Sequence, residues 1–289
     1  MKRWLTNLLI VVFALVFVVS GVYLVSYYVN AWKQQSAYND LAAIVEQVRN
    51  EQVQGNPKPT VSTGTDETAD TTPDDTTPPV TTPPTVQIKN EKTGEMMEVL
   101  AEYASIYEMN SDFVGWISIE GTNINYPVMH NADILNYYLY RDFYEKWNNA
   151  GSLYIRESCN VDTPTDNVTI FGHNMRNSGT MFNHLMNYTK ESFYKDHRYI
   201  QFDTLSERHT YEIMAVFKTS ANAGEGFPYH LFVNADSEAE YNEFVDTCKD
   251  LAFYDTGVTA SYGDKLITLS TCEYTLNNGR LVVVAKRIS

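Results

Sequence analysis

A lone cysteine followed eight residues later by an arginine is the pair of side chains in this sequence best suited to chemistry. The β-branched and apolar segment Leu266–Thr271 predicts a strand that ends at Cys272, and Arg280–Ala285 predicts a second strand. Asn277-Asn278-Gly279 closes the loop between them. If the two strands pair as antiparallel neighbours, Cys272 and Arg280 lie side by side, an arrangement suited to thiol chemistry.

A cysteine nucleophile needs a base or acid nearby, because the free thiol has a pKa of about 8.5 and the thiolate is the attacking form. Among six histidines, His173 has the most suitable setting: it follows the predicted strand Asn167–Phe171, with the flexible Gly172 directly before it. The alternative is that His173 is an ordinary loop histidine. The remaining five lie in polar or mixed contexts: His130, His184, His197, His209 and His230.

The C-terminal ~200 residues have the length of one domain and contain many short strand patterns with few helices, which predicts an all-β barrel or sandwich. The predicted strands are Phe113–Ile119, Gly151–Ile155, Asn167–Phe171, Tyr199–Phe202, Tyr211–Lys218, Lys265–Thr271 and Arg280–Lys286. Two helices are predicted, at Glu95–Tyr107 and at Ser237–Leu251; Ser237 is the N-cap of the second and Glu240 stands in the capping-box position.

Three segments, Phe171–Asn174, Thr268–Tyr274 and Gly279–Lys286, resemble in this order the signature segments of sortases. Three features resemble class B sortases in particular: the Tyr126-Pro127 segment, the helix inserted before the cysteine strand and the sequence Thr-Leu-Ser-Thr-Cys. The resemblance covers roughly residues 96 to 289. It implies a mainly β fold: a closed β-barrel of about eight strands, with an N-terminal helix and an inserted helix before the cysteine strand.

The resemblance also implies a function, that of a membrane-anchored cysteine transpeptidase of Gram-positive bacteria. By matching position, Cys272 is the nucleophile, His173 the acid/base and Arg280 the transition-state stabiliser. Asn125, Met129 and Ser270 would line the groove for the sorting-signal peptide; alternatively, Met129 is a core residue and Asn125 a turn residue. The loop of seven residues between Cys272 and Arg280 is short for class B, which bears on the exit side of the groove.

Cleavage of the sorting signal after threonine would give a thioester, which an amine of the peptidoglycan stem resolves, with a pilin lysine as the alternative acceptor. Two other classes of function stay open: a cysteine hydrolase that uses water, and a non-catalytic anchored binding module. His173 precedes Cys272, which is the reverse of the order in papain-like enzymes, and the 99 positions between them differ from the ~50 of caspases. No cofactor is expected, and no Cys/His cluster has the spacing of zinc ligands.

The N-terminal third predicts a membrane anchor and a spacer. Leu8–Val29 is 22 residues without a charge, enough to cross a bilayer, and Lys2 and Arg3 before it place the N-terminus inside and the rest of the chain outside. Four parts follow: a cytoplasmic stub and anchor (1–30), a juxtamembrane helix (31–53), a disordered stalk (54–86) and the catalytic domain (87–289). The stalk is predicted from 11 Thr and 7 Pro among residues 56–85.

The net charge bears on the class of binding partner, and the number of cysteines bears on which thiols are free. The net charge of −15 argues against nucleic acid as a natural partner. Three cysteines are an odd number for an extracellular protein and leave at least one thiol free. Cys272 is the expected free thiol, while a disulfide between Cys159 and Cys248 is allowed by number alone.

Overall fold

The computed structural model describes residues 2–55 and 83–289, and within them eight strands close into one barrel. These strands are β3 Phe113–Ser118, β4 Asn125–Met129, β5 Leu153–Ile155, β6 Asn167–Phe171, β9 Tyr199–Thr204, β10 Thr210–Ser220, β11 Leu266–Cys272 and β12 Gly279–Arg287. Their order around the barrel is β10-β12-β11-β6-β5-β4-β3-β9. Two short hairpins lie outside the barrel: β1 Thr85–Lys89 with β2 Met96–Leu100, and β7 Asn174–Met175 with β8 Thr180–Met181. The predicted closed barrel is confirmed.

The helices of the described residues stand around this barrel. They are α1 Lys2–Gly55, α2 Ala101–Met109, α3 Glu191–Asp196 and α4 Glu238–Asp250, with 3₁₀ turns at Tyr137–Tyr140, Phe182–Thr189 and Tyr229–Leu231. α1 runs without a break through the predicted anchor and the predicted juxtamembrane helix. Its N-terminal part is long and apolar enough to cross a membrane, and none of that part is buried. The predicted stalk lies largely outside the described residues.

Strand β12 shows why the C-terminal apolar run has no polar face. Leu281, Val283 and Ala285 belong to the barrel core, whereas Val282 and Val284 belong to a second cluster on the outer surface. Side chains of a strand alternate between its faces, so a strand buried on both sides is apolar throughout.

Helix α4 covers that outer surface and is the inserted helix predicted from the sequence. It lies between β10 and β11 and buries Tyr241, Phe244, Val245 and Cys248 at helical spacing. The Oγ of Ser237 accepts a hydrogen bond from the Glu240 amide at 3.3 Å, as expected for the N-cap. The Glu240 carboxylate reaches back one residue further than a capping box, to the amide of Asp236.

The helix predicted at Glu95–Tyr107 is only half correct. Its first part, Met96–Leu100, is strand β2, which pairs antiparallel with β1, and α2 begins only at Ala101. The turn between β1 and β2 is stabilised by the Asn90 side chain, which accepts from two amides of the turn. A pairing partner eleven residues upstream thus overrides the local helical spacing.

Most barrel strands agree with their predicted positions within two residues, and β6 agrees at both ends. The pattern does not predict β4, because Pro127 lies in its middle and proline is depleted in strands.

Candidate active site

Cys272 lies at the end of β11, between two neighbouring strands that each bring one polar side chain. On one side β12 is antiparallel, and Arg280 is the residue directly opposite Cys272. Residues opposed in this way point to the same face, with Cβ atoms about 4.5–5.5 Å apart. The adjacency expected from the sequence is therefore present.

On the other side, β6 is parallel to β11, and its last pair is Phe171 opposite Ser270. Continuing this register by two residues brings His173 beside Cys272. Three hydrogen bonds hold the continuation: the Gly172 amide to the Ser270 carbonyl at 3.1 Å, the Thr271 hydroxyl to the Gly172 carbonyl at 2.8 Å, and the Asn174 amide group to the Cys272 carbonyl at 3.0 Å.

Gly172 is required by close packing and not by an unusual backbone angle. A Cβ at this position would lie 2.3 Å from the Leu153 side chain and 2.6 Å from the Phe182 ring. Distances below 3.0 Å force neighbouring atoms to move. Glycine therefore allows the chain that carries His173 to lie flat against the barrel.

The imidazole of His173 is held by residues more than thirty positions earlier in the chain. Its Nε2 lies 2.8 Å from the carbonyl oxygen of Leu139. A carbonyl only accepts, so Nε2 carries a proton and Nδ1 is the nitrogen that can take one up. The Tyr140 ring lies 5.5 Å from the imidazole and stacks on Trp147 at 5.2 Å.

This enclosure changes the acidity of the imidazole. Burial lowers the pKa of His173, because it disfavours the charged form, and the hydrogen bond to the Leu139 carbonyl only partly offsets this. His173 is therefore neutral at pH 7 in the resting protein.

The guanidinium of Arg280 is fixed at the turn before β12. Its Nη1 donates to the carbonyl oxygens of Gly279 at 2.9 Å and of Asn278 at 3.2 Å, and to the Asn278 side-chain oxygen at 3.1 Å. Three tyrosines are close enough to interact electrostatically with both Cys272 and Arg280: Tyr154, Tyr229 and Tyr274.

Glu273 organises the loop directly after the cysteine. Its buried carboxylate accepts from the amides of Thr275 and Leu276 at 2.9 and 3.1 Å and pairs with the Lys218 ammonium at 3.0 Å. Burial raises the pKa of the Glu273 carboxyl, but these bonds outweigh it and lower the pKa to about 2. The carboxylate is therefore charged throughout the physiological range.

The three residues predicted to line the substrate groove lie in different settings. Met129 is fully buried in the barrel core, which favours the alternative that it is a core residue. Ser270 is buried on the same face of β11 as Cys272, with its hydroxyl 2.5 Å from that of Tyr229. Asn125 is exposed, and its side-chain oxygen accepts from the Trp116 indole at 2.6 Å.

All three cysteines are free thiols, so the structure contains no disulfide between Cys159 and Cys248. Both of these are buried, in separate clusters, and burial raises the pKa of each thiol. Cys272 alone is partly exposed. Among residues 2–55 and 83–289, no group of three or more His, Cys, Asp or Glu side chains is arranged to hold a metal ion.

Sequence reasoning missed several residues around His173. Asn174 could have been found from the sequence, since it follows His173 directly. In the structure its side-chain amide donates to the Cys272 carbonyl. Leu139 and Tyr140 had no such signal in the sequence, because their contacts with His173 arise only when the loop folds across the barrel end.

Comparisons with known proteins agree with this geometry. A family model described as Sortase domain matches residues 117–288. Sortase B of Staphylococcus aureus (strain NCTC 8325 / PS 47) is 31% identical over 195 residues, which cover 66% of this chain and 76% of that protein.

Solved structures show the same likeness. The Staphylococcus aureus sortase B-substrate complex has a TM-score of 0.60 at 31% identity, covering 66% of this chain and 86% of that one. A crystal structure of sortase B complexed with triglycine has a TM-score of 0.59 at 30% identity, covering 65% and 86% respectively.

Proposed function

Because this chain belongs to the sortase family of cysteine transpeptidases and is similar to sortase B, we propose that it joins surface proteins to the cell wall. It cleaves a C-terminal sorting signal after threonine and transfers the resulting acyl group to an amine of peptidoglycan. One of the similar structures is a substrate complex and another is a complex with triglycine, which supports a peptide donor and an amine acceptor.

The observation that carries this proposal is the position of Cys272 between His173 and Arg280. Antiparallel pairing puts Arg280 directly opposite Cys272, and the register of the parallel neighbour puts His173 on the other side. A nucleophile, a proton carrier and a fixed cation at one strand end are the parts that acyl transfer requires.

In the first half-reaction a proton passes from the Cys272 thiol to Nδ1 of the neutral His173, and the resulting thiolate attacks the threonine carbonyl carbon and forms a C–S bond. Negative charge develops on the carbonyl oxygen, and Arg280 stabilises it. The imidazolium of His173 gives its proton to the departing amine nitrogen as the C–N bond breaks. A thioester on Cys272 and a neutral imidazole remain.

In the second half-reaction an incoming amine attacks the thioester carbonyl and gives its proton to His173. The C–S bond breaks and an amide bond forms, leaving the Cys272 thiolate and the His173 imidazolium; return of the proton to the thiolate restores the neutral resting pair. Because Nε2 is held by the Leu139 carbonyl, Nδ1 is the atom that moves the proton in both halves.

The apolar part of α1 supports the location we propose. Leu8–Val29 spans the cell membrane once, with Lys2 and Arg3 inside and the barrel outside. The donor would then reach the enzyme after export, on the side of the membrane where the wall is built.

The test is a transpeptidation assay on the full chain in mild detergent. Residues 34–49 of α1 pack on the barrel, so removing them would expose buried side chains. Peptides of the Leu-Pro-x-Thr-Gly and Asn-Pro-x-Thr-x types are incubated with and without an amine, and the products are read by mass spectrometry. A peptidoglycan stem peptide and a pilin-derived lysine peptide serve as alternative acceptors.

We expect cleavage after threonine and an amine-dependent ligated product, both absent in Cys272→Ala. Ligation only to the lysine peptide would favour pilus polymerisation over wall attachment. Cleavage without ligation to any amine would indicate a hydrolase. An absence of cleavage, together with a Cys272 that does not react with thiosulfonates, would leave only the binding module.

A further inference from the structure

The C-terminal half of α1 is docked on the barrel by polar and apolar contacts. The Gln34 amide group donates to the Gly151 carbonyl at 2.7 Å, and the Tyr38 hydroxyl lies 3.0 Å from that of Ser152. Leu41 is buried in the core below them. α1 therefore holds the barrel in a defined position.

Two ion pairs strengthen the contact between α1 and the barrel near the C-terminal end of α1. The Arg49 guanidinium pairs with Asp203 at 2.8 Å and with the fully buried Glu102 at 3.3 Å. Because α1 itself docks, the separation between membrane and barrel is set by α1 and not by residues 54–86. Val29 and Gln34 are only five positions apart, a rise of about 7.5 Å along a helix.

Tyr27 shows which end of the barrel faces the apolar segment. It lines one cleft with Arg176 and Tyr274, which belong to the segments that carry the proposed acid/base and nucleophile. It lines a second cleft, of about 280 Å³, with Tyr144 and Trp147. Since Tyr27 lies inside the charge-free stretch, these residues stand level with its last turn.

The segment 140–147, here called the aromatic loop, presents large side chains to solvent at this end. Tyr140, Tyr144 and Trp147 are all exposed, Trp147 by 73%. Tyr28 and Trp32 are exposed on α1 at the same level. Tyrosine and tryptophan concentrate where a bilayer meets water, because their rings are apolar and their tips are polar.

Charge at this end also differs from the rest of the chain. Four basic side chains stand against three acidic ones, whereas the whole chain has a net charge of −15. The basic residues are Lys33, Arg141, Lys146 and Arg176, and the acidic ones are Asp40, Asp142 and Glu145. Asp40 lies about 10 Å beyond Lys33 along α1 but is close enough to Tyr144 to interact with it electrostatically.

We propose that the aromatic loop is a second membrane contact, which enters the lipid–water interface and holds the face carrying Cys272 and His173 against the bilayer surface. The inference rests on the membrane anchorage proposed above and adds a surface that the anchor alone does not require. The barrel then works at the membrane and not at a distance from it.

Tryptophan fluorescence in vesicles tests this contact, because lipids brominated near the headgroup end of the acyl chain quench only nearby indoles. The chain has four tryptophans, and Trp116 is buried in the barrel. The full chain carrying W4F and W32F reports on Trp147 above the Trp116 background, and W4F, W32F and W147F together give the background alone. The variant W32F and W147F reports on Trp4, at the start of the apolar stretch.

We expect brominated lipid to reduce the emission of Trp147 by the same fraction as that of Trp4, while the background variant is unaffected. Quenching of Trp4 without quenching of Trp147 would overturn the second contact and leave the anchor in place. An unquenched Trp4 would overturn the anchor and this inference together. The transpeptidation assay is independent of all three outcomes.

Discussion

The ring of Tyr140 lies 5.5 Å from the imidazole of His173 and covers part of it, while its other neighbour is the stacked ring of Trp147. Burial is the main reason that the pKa of His173 is lowered. One of the residues that enclose the proposed acid/base thus lies 33 positions before it in the chain.

Tyr140→Ala should raise the pKa of His173 towards its ordinary value of about 6.5, because water returns to the imidazole. In a bell-shaped profile of kcat/KM against pH, the acid limb reports the group with the lower pKa. The limb should therefore lie below pH 6.5 in the parent and move to higher pH in the variant. Tyr140→Phe keeps the ring and should leave the limb in place. An unchanged limb in Tyr140→Ala would contradict the assignment of this limb to His173.

Arg280→Ala should lower kcat/KM for transpeptidation by about 10²–10³-fold, the usual loss on removing one donor to a developing oxyanion. Reaction of Cys272 with a small alkylating reagent serves as a second readout and should fall far less, since no oxyanion forms there. Arg287→Ala, at the far end of β12, is the matched control and should retain activity. Equal losses in both assays would mean that Arg280 acts on the thiol and not on the transition state.

Gly172→Ala should reduce kcat/KM by roughly 10²-fold, because displacing a catalytic group by about 1 Å has an effect of this size. The added Cβ would meet Leu153 and Phe182, so the chain carrying His173 must shift away from Cys272. Gly21→Ala, where a Cβ meets nothing within 4 Å, is the control. Full activity in Gly172→Ala would show that the position of His173 tolerates such a shift.

Glu273→Gln should lower the free energy of unfolding at pH 7 by up to about 3 kcal/mol, since a pKa depressed from 4.5 to about 2 corresponds to that amount. A depressed carboxyl pKa stabilises the fold fully above pH 4.5, and this stabilisation is lost as pH falls through 2. Denaturant unfolding in mild detergent at pH 7 and pH 3 measures it.

The gap between parent and Glu273→Gln should therefore narrow at pH 3. Glu243→Gln, an exposed position on α4, should change little at either pH. A gap that is the same at both pH values would mean that the effect of Glu273 is not its charge.

Much of the barrel follows from local pattern. β6, β11 and β12 combine β-branched residues with apolar alternation, so their positions are predictable within a residue or two. The region around β2 is not, because Met96–Leu100 carries a helical spacing that pairing with β1 overrides. The pairing depends on a partner outside the local window.

The proposed catalytic residues divide in the same way. Cys272 and Arg280 are close in sequence, and one turn between two strands is enough to bring them together. The predicted strand end before His173 marks it as a candidate, but local pattern does not reveal that it reaches Cys272 through a parallel neighbour 99 residues away. For Met129 the family resemblance predicted a groove position, whereas the structure shows the side chain fully buried in the core.

Most strands of the barrel, the cap of α4, an apolar N-terminal segment and a thiol with an arginine beside it can be predicted from the sequence, because each depends on residues close together in the chain. The folded structure was needed to show that Leu139 and Tyr140 enclose His173 and that α1 docks beside the same end of the barrel. Such contacts join segments far apart in sequence, and they exist only once the barrel closes and fixes the register of its strands.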